Sequence, residues 1–100
     1  MDAEPSLNDL RDALRQACQQ TDSGAIVQGR QRVLDMPRAW VLTNVFPVAE
    51  ETLDLADFWE YRRLLELCEL LDAGLLQRFV TVGLGSTDPD VQLAAEDFKR

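Results

Sequence analysis

The sequence predicts a single all-α domain of about six helices arranged as three antiparallel helix pairs. Three observations lead there. Apolar residues recur every three or four positions through most of the chain, which is the period of a buried helix face. Ser or Asp stands ahead of most periodic stretches, where a side-chain oxygen can accept from the free N–H groups of a first turn. Most prolines and glycines fall at the ends of those stretches, where helices start and stop.

The elements follow in order. Leu7, Leu10, Ala13, Leu14, Ala17 and Cys18 keep helical spacing behind Ser6, with Asp9 three residues on, which predicts a first helix over about 6–20. A turn at Thr21-Asp22-Ser23-Gly24 follows. Over 25–36, Ile26, Val27, Val33 and Leu34 share one broad helical face, but Arg30 sits in its middle. A helix is expected there, and a hairpin turning at Gln28-Gly29 is its rival. Asp35 and Pro37 are a start signal for a third helix carrying Trp40, Val41, Val45 and Phe46. Pro47 is expected to kink that helix or to end it and restart it, because proline lacks the N–H and crowds the preceding turn. Asp54 and Asp57 offer caps for the strongest segment, DFWEYRRLLELCELLDAG, whose helix is expected to end at Gly74. LLQRFVTVGLG is apolar nearly all round and predicts a fifth helix terminated by Gly83 and Gly85. In STDPDVQLAAEDF, Asp88 caps a sixth helix, Pro89 takes its first position, and Val91, Ala94, Ala95 and Phe98 form its buried stripe.

One hundred residues with 46% hydrophobic and 28% charged composition can bury a core without staples, since a chain of this length hides roughly 65% of its extended surface. Residues 1–100 are therefore read as one helical domain, with 1–5 as a disordered N-terminus. The net charge of −8, carried mostly by residues 51–100 with 11 acidic and 5 basic side chains, opposes binding to nucleic-acid phosphates or to an anionic membrane. MDAEPSLNDL has neither the basic nor the apolar region of a secretory signal, and no apolar run approaches a membrane span, so a cytoplasmic location is expected. Cys18 and Cys68 each fall in an apolar helical stripe and read as reduced core thiols.

The chemistry of catalysis is thin. The chain has no histidine, hence neither the commonest general base nor the commonest zinc ligand. Two cysteines fifty positions apart make no CxxC pair, and Ser6, Ser23 and Ser86 all precede helices, where capping accounts for them. Gly83-Leu84-Gly85-Ser86-Thr87 lacks the lysine of a phosphate loop and is followed at once by Asp88 and Asp90, which would repel phosphate. The sole lysine is Lys99, beside the C-terminus. Glu50, Glu51, Asp54 and Asp57 cluster at one turn, but no Glu-x-x-His or EF-hand pattern accompanies them. The expectation is a protein that is not an enzyme and uses no metal and no cofactor.

The caps near Ser23, Asp57 and Asp88 are spaced 34 and 31 residues apart, a faint repeat period. Within the last unit, DPDVQLAAEDF resembles the second helix of a HEAT-type repeat, whose pattern is Asp-Pro-x-Val-Arg-x-Ala-Ala, and LLQRFVTVGLG before it resembles the first. The likeness covers residues 73–98 and departs at Gln92, where the family carries Arg. It implies a HEAT-like right-handed superhelix, with an irregular helical bundle as the other arrangement, and a fold whose members mostly bind proteins.

Helix four carries two faces. Phe58, Tyr61, Leu64, Leu65, Cys68 and Leu71 spread over one, while Trp59, Arg63, Glu66 and Leu70 line up at i, i+4, i+7 and i+11 on another. Either other helices cover this second stripe, or it is a candidate protein-interaction face, since Trp and Arg dominate binding hot spots. The simplest partner would be a second copy in a two-fold dimer, with Arg63 meeting the partner's Glu66. The expected function is a protein-binding adaptor or regulatory module of helical-repeat type. Its rival is an acidic inhibitor, antitoxin-like or mimicking nucleic acid, that blocks a basic surface.

Overall fold

The structure is a computed structural model and describes residues 5–99. It contains α1 (Leu7–Ala17), α2 (Ser23–Asp35), α3 (Arg38–Thr52), α4 (Phe58–Leu71), α5 (Ala73–Leu84) and α6 (Pro89–Phe98), with no strand among the described residues. Of residues 1–5, expected to be disordered, 1–4 lie outside the described residues, and Pro5 precedes α1 without helical structure.

Side-chain caps open five of these helices. Ser6 and Asp9 form a reciprocal capping box at α1, the Ser6 hydroxyl accepting from the Asp9 N–H at 3.1 Å and the Asp9 carboxylate from the Ser6 N–H at 3.0 Å. Asp22, Asp57, Asp72 and Asp88 each accept from first-turn N–H groups of the helix that follows. α2 thus starts at Ser23 behind an Asp22 cap, two residues ahead of the predicted start. Pro37 is itself the N-cap of α3 and supplies no side-chain bond, while Asp35 belongs to the end of α2.

Three local expectations are corrected. Of the two outcomes expected at Pro47, a kink or an end and restart, the second does not occur: α3 runs unbroken from Arg38 to Thr52, although the proline removes a donor to the Thr43 carbonyl. Packing against α1 and α5, which buries Val41, Val45, Val48 and Ala49, holds the helix through that gap. Gly74 does not terminate α4: Asp72 is both the last cap of α4 and the first of α5, and Gly74 lies inside α5. Gly83 does not terminate α5 either; it sits within the helix, which ends at Leu84 with Gly85 as its cap.

The glycines have other uses. At Gly29 a Cβ would overlap the backbone of Gln16 and Ala17, so Gly29 lets α1 and α2 cross at backbone contact, and α2 is a helix with no hairpin. At Gly83 a Cβ would overlap the Tyr61 ring and hydroxyl. No described glycine has a positive φ, so it is close approach that these two positions require.

α1 packs on α2 and α5 on α6 as close antiparallel neighbours, but α3 and α4 do not make a third such pair. α3 lies on α1 and α5, whereas α4 lies on α1, α5 and α6. The bundle is irregular, 46 × 27 × 21 Å in extent, and one core runs through it from Leu10 and Leu14 through Val45, Tyr61 and Phe79 to Val91. α4 packs on α1, α5 and α6, and that arrangement leaves its Trp59 and Leu70 side outward.

Candidate functional site

α4 divides its residues between core and surface as a 3.6-residue period requires. Tyr61, Leu64, Leu65, Cys68 and Leu71 are buried, and Leu67 joins them because α4 packs on three helices at once. The opposite stripe is not covered. Trp59 is 45% exposed and Leu70 55%, while Arg63 and Glu66 between them are largely shielded by their neighbours.

Those neighbours form an ionic cluster. The Glu66 Oε1 atom accepts from Arg63 Nη1 at 3.0 Å and from Arg30 Nη2 at 2.5 Å, and Oε2 lies 3.7 Å from Arg62 Nε. The Arg63 guanidinium also stands over the Trp59 ring, 5.4 Å from its centroid, and Phe58 meets the same indole edge-on at 5.1 Å. Trp59 is thereby held in one orientation although half of it faces solvent. On the other flank, Arg62 pairs with Asp97 at 3.1 Å and stacks on Phe98, tying α4 to α6.

All four residues singled out in the sequence therefore share one outward stripe. The partner expected for Arg63, a Glu66 from another chain, is displaced by the Glu66 of the same chain, three positions away. Sequence reasoning missed Arg30 and Arg62. Arg30 had left a signal as the charge interrupting the apolar pattern of α2. The structure splits that pattern: Ile26 and Val33 are buried, Val27 and Leu34 are exposed, and Arg30 reaches from between them to Glu66.

Elsewhere, several polar side chains singled out in the sequence have structural roles. Ser6 caps α1, the Ser86 hydroxyl accepts from the Asp88 N–H at 3.1 Å, and Ser23 is the first residue of α2 rather than a cap. Gln92, at the position where the resemblance called for Arg, donates to the Ser86 carbonyl. Glu51 pairs with Arg11 at 2.8 Å, Asp54 accepts from the Ala56 N–H, and Asp57 caps α4. Burial pushes the Cys18 thiol up to about 12 and the Cys68 thiol higher still, so neither is a thiolate at neutral pH. Burial likewise raises the carboxyl of Glu60, at the start of α4. Among the described residues no three metal-ligating side chains come together, no pocket opens on the surface, and no helix is long and apolar enough to cross a membrane.

No protein-family model matches this chain, and no curated protein or solved structure does either.

Proposed function

We propose that this protein is an adaptor or regulatory module of helical-repeat type, acting without catalysis, metal or cofactor, and that Trp59, Arg63, Glu66 and Leu70 on α4 form its protein-binding face. The observation that carries the reading is Trp59: a large indole, half exposed and clamped by Arg63 and Phe58, beside an exposed Leu70 on the same stripe. A pre-oriented aromatic loses little side-chain freedom on binding, and Trp and Arg are both enriched in hot spots. A surface without a pocket favours a macromolecular partner over a small ligand. The helical-repeat description draws on the closely packed α1–α2 and α5–α6 pairs, and a cytoplasmic setting agrees with two unpaired buried thiols.

The test is the pair Trp59→Ala with Leu70→Ser in one chain. Proteins retained by the immobilised wild type from its native cell, after low- and high-salt washes, should be lost by the variant while its melting temperature stays close to the wild type. Retention of the same proteins by a folded variant would end the reading. The acidic-inhibitor alternative is favoured by the net charge of −8. It predicts partners that leave at high salt and ignore Trp59.

A further inference from the structure

α2 and α4 are not closely packed along their lengths; side chains join them, through Arg30 and Glu66. Val27 and Leu34 stand one turn either side of Arg30 on the same edge of α2, and both are exposed. Trp59 and Leu70 stand likewise either side of Arg63 and Glu66 on α4. The two helices therefore present apolar side chains around a charged centre.

That centre is short of acceptors. Arg30 and Arg63 both donate to the same oxygen, Glu66 Oε1, and the Nε atoms of both arginines are buried without a hydrogen-bond partner. Arg62 has Asp97 as a second anion, whereas among the described residues Arg30 and Arg63 make their ion pairs with Glu66 alone. Two guanidiniums around one carboxylate form a place where another carboxylate is favoured.

We propose that the face between α2 and α4 takes an acidic amphipathic helix of another protein, which sets its apolar residues on Trp59, Leu70, Val27 and Leu34 and a carboxylate between Arg30 and Arg63. The inference rests on α4 being the binding face. Charge complementarity selects this occupant. A second copy docked two-fold on α4 would bring Arg30 and Arg63 of both chains together, with each Glu66 already engaged in its own chain. The dimensions also fit: Trp59 and Leu70 are eleven residues apart, about 16 Å along the helix. A partner helix spans that distance in three turns, with anchors at i, i+4, i+7 and i+11.

The experiment is selection of binders to the full chain from a displayed library of randomised helical peptides, with the winning peptide mapped by amide chemical shifts. The expected winners carry Asp or Glu between apolar anchors and perturb residues 23–34 and 58–71. Arg63→Gln should weaken them about tenfold or more while leaving the melting temperature near wild type. Neutral or basic winners on the same residues would overturn the acidic partner and leave the α4 face standing. Winners that map elsewhere, or none at all, would overturn both. A free chain that sediments as a dimer dissociated by Trp59→Ala would put a second copy on this face and likewise overturn the proposal.

Discussion

The Tyr61 hydroxyl occupies the space a side chain at position 83 would need, and donates at 2.7 Å to the Phe79 carbonyl one turn earlier in α5. Gly83→Ala should therefore destabilise the protein by about 1–3 kcal/mol through overpacking, although alanine favours an open helix site by about 1 kcal/mol over glycine. Gly24→Ala is the control, because a Cβ there meets only the Asp22 carboxylate, at 3.6 Å. Urea unfolding of both variants should move in opposite directions, and equal shifts would refute the steric account.

Gly29→Ala should be the costlier change of the two buried glycines, toward about 3 kcal/mol. Its clash is with the backbone of Gln16 and Ala17, which cannot rotate away as a tyrosine ring can. The same urea series ranks them.

Glu66→Ala leaves Arg30 and Arg63 partly buried without their shared anion. A loss of about 1–3 kcal/mol is expected, and added salt should recover part of it by screening the two guanidiniums. A thermal melt of this variant at low and high ionic strength reads both effects; a melting temperature indifferent to the substitution would remove Glu66 from the role of hub.

The buried thiols and Tyr61 make the fold sensitive to alkali. Burial raises Cys18 from 9.0 to about 12, Tyr61 from 10.0 to about 12, and Cys68 in the same direction. Each binds its proton more tightly folded than unfolded, so stability is intact below about pH 9 and falls as pH rises toward 12, by up to about 1.4 kcal/mol per pH unit for each group. Denaturant midpoints between pH 8 and 11 should show this decline. Native Cys18 and Cys68 should also resist a thiol reagent until the chain unfolds, and rapid native labelling would contradict their burial.

The helix count and the caps at Ser6, Asp57 and Asp88 were legible because capping and periodicity act within four residues. The outward stripe of α4 was legible for the same reason. What was hidden depends on residues far apart in the chain. Gly29 and Gly83 read as turn or stop signals because nothing local reveals that another helix presses on them. The link from Arg30 to Glu66 spans 36 positions, so only the oddity of a charge in an apolar pattern could announce it. Pro47 read as a kink or a break because its local penalty is visible, whereas the flanking helices that carry α3 unbroken through it are not.

Asp72 leaves no slack between α4 and α5. It ends one helix and caps the next, its carboxylate accepting from the Leu75 N–H at 3.0 Å, and Arg38 of α3 grips both the Leu71 carbonyl at 2.6 Å and the Asp72 carboxylate at 3.3 Å. The joint behaves as a welded elbow, because a residue inserted there would put these three hydrogen bonds out of register together. The end of α4 away from its indole is therefore pinned to α3 and α5 at once through a single aspartate.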